Sequence, residues 1–360
     1  MKKTALAALL VATGLCLGAC GQPPADNGGA TTGQTATAAG AGDFLACMVS
    51  DMGGFDDKSF NQSGYQGMLD AKDQLGVSIK TAESKQASDY APNLDAMKTQ
   101  GCDLTITVGF LLAEDTKAAA TANTKSNYAI IDDNSITLPN VKPIVFKTSD
   151  AAFLAGYLAA GYSQTGTVAT FGGVNIPSVS IFMDGFADGV DRYNQDSGKS
   201  VKLLGWDKAA QNGIFSGDFE DQTKGKNVTK NFIEQGADII MPVAGPVGLG
   251  AAAAAQEAGN VEIIWVDTDG YNSAPQYANL FLSTVVKEIG AAVLETIKES
   301  SAGNFSPDPY VGTLANGGVD LAPYHNFESH VPADLKAKIQ DLRDQIIKGT
   351  LKVTSPSDPQ

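Results

Sequence analysis

Residues 104–132 read LTITVGFLLAEDTKAAATANTKSNYAIID and contain one strand–helix–strand unit. The run 104–108 is a short apolar strand that stops at Gly109, residues 111–123 have a helical pattern, and 128–131 is a second strand. Short apolar strands separated by helices are typical of a parallel sheet that is covered on both faces. This unit therefore predicts an α/β fold.

The same alternation continues on both sides of this unit. A first series of strands and helices occupies residues 43–148. A second series begins with a helix at 151–162, continues through strands at 167–171 and 238–243, and ends with a helix at about 332–348. Two consecutive series predict two similar Rossmann-like lobes, each with a parallel sheet flanked by helices.

Composition limits the function. The chain has 360 residues with 43% hydrophobic and 18% charged residues, which is typical of globular proteins. Its 40 acidic residues against 25 basic ones leave a net charge of −15, so we expect no nucleic-acid partner. Its two histidines leave little room for a His-based metal site, and we expect no metal and no cofactor.

The amino terminus has the pattern of an export signal. Two lysines precede an apolar run that ends at residue 19, which predicts a signal peptide over 1–19. The segment ending at Cys20 resembles the lipobox of bacterial lipoproteins, which implies lipidation of Cys20; an ordinary signal peptide with a chance Cys is the alternative. Residues 21–42 contain no Leu, Ile, Val or aromatic residue. We therefore expect 20–42 to be a disordered tether between a membrane and the folded part.

Cys47 and Cys102 remain in the exported part of the chain. Cys47 lies in the first strand, and Cys102 precedes a strand that the βαβ order places beside it. Disulfides persist in oxidising compartments. The sequence leaves open whether the two residues form a disulfide or remain two buried thiols.

Several strands end in Asp or Gly. The positions are Asp51, Gly109, Asp132, Gly245 and Asp269. Parallel sheets bind ligands outside the carboxyl ends of their strands, and carboxylates there suit a ligand rich in hydroxyl or amine donors and repel phosphates. The alternative is that these Asp residues cap helices.

One glycine motif suggests an enzyme. Gly248, Gly250 and Ala253 match G-x-G-x-x-A after a strand, which is formally a dinucleotide fingerprint and the basis of an alternative as an NAD-dependent oxidoreductase. The motif falls late in the chain rather than in the first βαβ unit. His325 and His330 fit loop positions, and the sequence contains no convincing nucleophile–base set. We therefore expect no catalytic residues.

Residues 51–63, DMGGFDDKSFNQS, resemble the opening motif of the basic membrane protein family. These lipoproteins are substrate-binding components of ABC transporters, many of them specific for purine nucleosides. Weaker blocks follow in the expected order, including YAIID at 128–132, AFLAG at 152–156 and VDTDG at 266–270. The resemblance spans roughly residues 44–350.

The resemblance implies a type I periplasmic-binding-protein fold with three crossovers between two lobes. The first lobe then comprises residues 43–148 and about 284–308. The second comprises 149–283 and about 309–350, and 351–360 form a tail.

The resemblance also implies an aromatic pair that sandwiches a base. Phe60 matches one member, and Phe219 fits the other better than its rival Phe215. Asp51 and Asn61 would face the ligand beside Phe60.

The remaining site residues follow from the same resemblance. Asp132 matches a base-binding Asp, although its neighbour Asp133 leaves a one-residue ambiguity. Gly245 and Asp269 would hold the ribose, and Lys287 matches a Lys near the sugar. After Asp269 the chain has Gly-Tyr where relatives often have Gln, which leaves the ribose end and the particular nucleoside open.

We therefore expect a monomeric, lipid-anchored receptor on the extracytoplasmic face of the cell membrane. It would bind a purine nucleoside and deliver it to an ABC permease. The alternatives are a binding protein for a sugar or another small solute, and the NAD enzyme.

Overall fold

Two six-stranded sheets organise residues 43–359, the part of the chain that the computed structural model describes. The expected signal peptide at 1–19, the expected tether at 20–42 and Cys20 lie outside the described residues. Within the described part, no helix combines the length and the apolar character needed to span a membrane.

The first lobe is built on a sheet whose neighbouring strands are all parallel. Its strands are β1 (Leu45–Ser50), β2 (Ser78–Ala82), β3 (Leu104–Val108), β4 (Asn127–Ile131), β5 (Val141–Phe146) and β13 (Tyr310–Gly312). Their spatial order is β13-β5-β4-β3-β1-β2. The helices of this lobe are α1 (Phe60–Leu75), α2 (Tyr90–Thr99), α3 (Ala113–Ala122) and α9 (Ile289–Ser301).

The second lobe repeats this plan. Its sheet contains β6 (Thr167–Gly172), β7 (Lys202–Leu204), β10 (Ile239–Val243), β11 (Glu262–Asp267), β12 (Phe281–Lys287) and β14 (Val319–Leu321). Their order is β14-β12-β11-β10-β6-β7, and β14 runs antiparallel to β12. The helices are α4 (Thr148–Tyr162), α5 (Pro177–Ser197), α6 (Gln222–Glu234), α7 (Val247–Ala258), α8 (Gly270–Ser273) and α10 (Ala333–Ile347). A small ribbon pairs β8 (Trp206–Asp207) with β9 (Asn212–Gly213). The predicted α/β fold with two similar lobes is confirmed.

The chain passes between the two sheets three times in the described part. It leaves the first sheet after β5, returns to it after β12, and leaves it again between β13 and β14. The expected lobe boundaries at about 284 and 308 each fall a few residues before these last two points, because all of β12 pairs in the second sheet and β13 pairs in the first.

Helix α4 is buried nearly all round. Every residue from Thr148 to Ala160 is buried, and the helix packs against α5, α10 and the second sheet. A helix that is hydrophobic around its whole circumference belongs inside a core. It therefore forms the centre of the second lobe directly after the first crossing.

The structure joins Cys47 and Cys102 in a disulfide. Their Cα atoms are 5.9 Å apart, and the bond links β1 to the residue just before the turn into β3. Strands β1 and β3 are neighbours in the sheet. The bond therefore fastens adjacent elements of the first lobe and closes a loop across 55 residues of sequence.

Candidate functional site

A cavity of about 530 Å³ opens between the lobes, at the carboxyl ends of strands from both sheets. Both lobes belong to one continuous unit of the chain. The wall of the cavity includes seven of the eight residues that the sequence placed at the ligand: Asp51, Phe60, Asn61, Asp132, Phe219, Gly245 and Lys287. The cavity therefore brings together residues that are up to 236 positions apart (Asp51 and Lys287: 287 − 51).

Two buried aspartates line the first-lobe side. Asp51 follows β1, and its Oδ1 accepts a hydrogen bond from Asn61 Nδ2 at 2.9 Å. Burial raises the pKa of Asp51 to about 8, against the lowering effect of that hydrogen bond. Asp57 accepts hydrogen bonds from the backbone N–H groups of Ser59, Asn61 and Gln62 at 2.8–2.9 Å. These bonds give partners to backbone N–H groups that otherwise have none at the N-terminus of α1. Burial raises the pKa of Asp57 to about 6.

A lysine of the second lobe lies between two carboxylates. The ammonium group of Lys287, at the end of β12, pairs with Asp132 of the first lobe and lies 3.6 Å from Asp267 Oδ1 of its own lobe. Burial raises the pKa of Asp132, and the charge of Lys287 opposes that effect. The pair Lys287–Asp132 is therefore a charged contact between the lobes inside the cavity.

The backbone is constrained at two of these carboxylates. Asp132 has φ +64° and Asp267 has φ +69°, in the left-handed region that few non-glycine residues adopt. Each follows or ends a buried strand, and each directs a carboxyl group to the cavity wall. Such conformations cost about 1–3 kcal/mol and cluster at functional sites.

Aromatic side chains from both lobes line the cavity. Phe60 begins α1 and lies under the ammonium group of Lys287, whose Nζ is 4.7 Å from the ring centroid. Phe219 comes from the loop before α6 and packs on Gly173, where a Cβ atom would approach the ring to 2.3 Å. Phe215 is not part of the wall; it packs edge-on against Trp206 with centroids 6.0 Å apart. The structure therefore places Phe219, not Phe215, in the same cavity wall as Phe60 of the first lobe.

One buried acceptor of the wall lacks a partner. Asn61 is 2% exposed, and its Oδ1 has no hydrogen-bond partner among the described residues, while its Nδ2 donates to Asp51. An unsatisfied buried acceptor costs about 1–3 kcal/mol. A donor group on a ligand would satisfy it.

Asp269 does not line the cavity, although the sequence predicted that it holds a ribose. Its side chain accepts from the backbone N–H of Tyr271 at the start of α8, and its Oδ2 lies 2.7 Å from His325 Nε2. Tyr271 stacks on the His325 ring with centroids 4.0 Å apart. Here the helix-cap alternative was the right one. The cavity contains Asp267 in its place, because that residue ends β11 whereas Asp269 lies two residues beyond it.

Asp132 lines this cavity and Asp133 does not. Asp133 instead accepts from the backbone N–H and the hydroxyl of Ser135, as Asp residues do in local turns.

Other wall residues were missed from the sequence. They are Met52, Asp57, Phe110, Ile176, Ser178, Val179, Phe182, Val243, Ala244, Pro246 and Asp267, whereas Gly109, which also lines the wall, was expected there as the end of a strand. Three of them, Met52, Asp57 and Asp267, lie inside the quoted motifs, and the two aspartates are residue types expected at the ligand. Phe110 and Phe182 gave no such signal, because an apolar residue in or beside a helical pattern also fits a core position.

The G-x-G-x-x-A glycines serve helix packing. A Cβ atom at Gly250 would lie 1.8 Å from the backbone oxygen of Gln222 in α6, and one at Gly248 would lie 2.8 Å from the Trp265 ring. These glycines let α7 approach α6 and Trp265 closely, and neither lines the cavity. The motif therefore has a structural explanation that needs no dinucleotide.

The charges of the wall favour a ligand without phosphate. Four carboxyl groups, those of Asp51, Asp57, Asp132 and Asp267, line the wall with one ammonium group, that of Lys287. Two lobes with a small-molecule cavity between them define the class of solute-binding proteins.

Comparison with known proteins identifies the family. The family described as ABC transporter substrate-binding protein PnrA-like (Bmp) matches residues 44–354, and this chain belongs to it. The ABC transporter nucleoside-binding protein BmpA of Lactococcus lactis subsp. cremoris (strain MG1363) is 29% identical, covering 99% of this chain and all 100% of that protein. Basic membrane protein A of Borreliella afzelii is 30% identical, covering 82% of this chain and 87% of the relative.

Solved structures agree with this assignment. The crystal structure of an ABC transporter solute-binding protein from Aeropyrum pernix K1 has a TM-score of 0.79 at 25% identity, covering 88% of this chain and 94% of that chain. The glucose-galactose binding protein GanP from Geobacillus stearothermophilus shares the fold, with a TM-score of 0.57 at 16% identity over 79% of this chain and 98% of that chain. The protein is a substrate-binding component of an ABC transporter and not an enzyme, so the oxidoreductase alternative is wrong.

Proposed function

We propose that this protein captures nucleosides, purine nucleosides in the first place, in the cavity between its lobes. The observation that carries the proposal is that Phe60 and Phe219, from different lobes, line one cavity whose polar wall is rich in carboxylates. Aromatic faces bind a base without using its charge. Carboxylates accept hydrogen bonds from ring N–H groups, exocyclic amines and ribose hydroxyls.

Six wall residues receive a role in this proposal. Phe60 and Phe219 stack on the base, and Asp132 accepts from its N–H groups. Asp267, rather than Asp269, accepts from the ribose hydroxyls beside Gly245 and Lys287. The nucleoside-binding function named for the Lactococcus lactis relative supports this assignment.

Titration calorimetry of the ligand-stripped protein tests the proposal. Adenosine, guanosine, inosine, the pyrimidine nucleosides and ribose would be compared. Saturable purine-nucleoside binding is expected. Binding of ribose or another sugar alone would contradict the aromatic sandwich, and no heat with any of these ligands would contradict nucleoside capture.

We further propose that the chain is a lipoprotein anchored through Cys20 on the extracytoplasmic face, where it acts as a monomer and hands ligand to an ABC permease. Two acyl chains hold a protein at a membrane where one is marginal. Expression of a Cys20→Ser variant beside the unchanged protein tests the anchor. The variant should appear in the soluble extracytoplasmic fraction, and its retention in the membrane fraction would contradict lipidation at this residue.

A further inference from the structure

A second chamber of about 580 Å³ adjoins the ligand cavity. The two spaces share three wall residues, Phe110, Asp132 and Ser178. Nothing in the proposed capture of an unsubstituted nucleoside uses the second chamber.

The far wall of the chamber is a firmly held part of the chain tail. Ser357, Asp358 and Pro359 line it. The hydroxyl of Ser149 donates to Asp358 Oδ1 at 2.6 Å, and the hydroxyls of Ser180 and Ser357 are 2.8 Å apart. Lys147 at the first crossing also pairs with Asp358. These hydrogen bonds and this ion pair hold the tail in place, so the tail forms a defined wall of the chamber.

The chamber combines apolar surface with negative charge. Val145, Phe146 and Ile181 supply hydrocarbon and aromatic wall. The carboxyl groups are those of Asp133, of Asp132, which pairs with Lys287, and of Asp358, which pairs with Lys147. No Lys or Arg lines it within residues 43–359. Apolar groups are therefore stabilised inside it by burial, and anionic groups are repelled.

Asp132 connects the two spaces chemically. Its Oδ2 accepts from Lys287, which leaves Oδ1 without a protein partner among the described residues. The exocyclic amine of adenine keeps one N–H for a carboxylate after its other hydrogen is replaced. A substituent on an amine that donates to Asp132 starts at the boundary between the cavity and the chamber.

We propose that the second chamber receives an apolar substituent on the exocyclic amine of a purine, so that N-substituted adenosines are ligands of this protein. This inference rests on the proposed nucleoside function. It names the ligand class that the adjoining chamber admits and adds the tail residues to the binding site.

Calorimetry with three ligands tests the inference: adenosine, N6-benzyladenosine and N6-succinyladenosine. The benzyl compound should bind within about tenfold of adenosine or more tightly, and the succinyl compound, with two carboxylates, at least about 100-fold more weakly. Binding of adenosine with a loss of about 100-fold or more for the benzyl compound overturns the chamber inference and leaves the proposed function standing. Absence of binding for adenosine and every other nucleoside overturns both.

Two filling variants show where the substituent lies. Asn134→Trp and Ser357→Trp place an indole in the chamber from two separate segments of its wall, and neither residue lines the nucleoside cavity. Each should weaken N6-benzyladenosine by about tenfold or more while adenosine stays within about twofold. Asn134→Ala and Ser357→Ala are the matched controls and should bind both ligands as the unchanged protein does. Equal binding of the benzyl compound by both Trp variants would overturn the inference.

Discussion

At the scale of single residues, Asp267 and Asp269 have different roles although they are only two positions apart. Asp267 faces the cavity and accepts from Ser59 Oγ at 2.8 Å, whereas Asp269 caps α8 and contacts His325. Loss of a buried polar contact to a ligand costs about 1–3 kcal/mol. We expect Asp267→Asn to weaken nucleoside binding by about tenfold or more.

Asp269→Asn is the matched control for this prediction and should leave the affinity within about threefold. Calorimetric titration with the best-binding nucleoside measures both variants. A larger loss at Asp269 than at Asp267 would return the ribose contact to the position that the sequence first suggested.

A second residue-scale prediction concerns Asp51 and pH. Folding raises the pKa of Asp51 from 3.8 to about 8 because the residue is buried. The folded chain holds this proton more tightly than the unfolded chain, so the associated stability is fully present below about pH 4 and is lost as the pH rises toward 8. Asp51→Asn removes this loss and keeps an acceptor for Asn61.

The free energy of unfolding of the ligand-free Asp51→Asn variant should therefore equal that of the unchanged protein near pH 4. At pH 8 the free energy of unfolding of the variant should exceed that of the unchanged protein by at least about 1 kcal/mol, since one pKa unit corresponds to about 1.4 kcal/mol. Urea unfolding of both proteins at a series of pH values measures the difference. A difference that does not grow with pH would show that Asp51 is ionised in the folded state.

The residue types of the site were predictable, but some positions were not. Carboxylates and glycines were expected at the strand ends, the family resemblance implied the aromatic pair, and seven of eight expected positions line the cavity. The choices between Asp132 and Asp133, and between Asp267 and Asp269, depend on the residue at which a strand ends. A shift of one residue in a strand turns a side chain to the other face, and residues beyond the strand follow turn geometry that periodicity does not reveal.

At the scale of elements, glycines in α1 test how closely the helices pack. A Cβ atom at Gly67 would lie 2.4 Å from the backbone oxygen of Gly290 in α9, whereas one at Gly64 meets only side chains at an ordinary 3.6 Å. Both positions are in the same helix, so Ala brings the same gain in helix propensity, about 1 kcal/mol. Only at Gly67 must the backbones move apart.

We expect Gly67→Ala to lower the free energy of unfolding by about 1–3 kcal/mol, the usual cost of overpacking. Gly64→Ala should leave it unchanged or raise it by up to about 1 kcal/mol. Urea unfolding monitored by circular dichroism measures both. Equal effects of the two substitutions would contradict the close contact between α1 and α9.

The long elements were predictable from the sequence, and the short ones were not. Hydrophobic periodicity predicted a helix at about 332–348 and a strand at 104–108, and the structure has α10 and β3 within one residue of these bounds. Strands β13 and β14 have three residues each, too few to show a period of two. Tertiary pairing alone defines them, and they carry the third crossing between the lobes.

At the scale of the whole molecule, hydrogen bonds across the cleft link its two halves. The indole N–H of Trp265, in β11, donates to the backbone oxygen of Lys58 at 3.2 Å, and Ser59 Oγ donates to the oxygen of Val266 at 3.1 Å. These bonds join the start of α1 in the first lobe to the second sheet. Hinged two-lobed binding proteins close around their ligands, so opening of the cleft would break them.

The two tryptophans of the chain therefore report different regions. Trp206 donates to Asp184 inside the second lobe, so lobe motion does not alter its environment. In a Trp206→Phe variant, Trp265 is the remaining indole. We expect nucleoside addition to shift the fluorescence emission of Trp265 to shorter wavelength. The affinity obtained from this shift should equal the affinity that calorimetry measures. The matched Trp265→Phe variant should bind without such a shift, because its remaining indole stays within one lobe. An equal response of both variants would indicate a change spread through the second lobe rather than closure of the cleft.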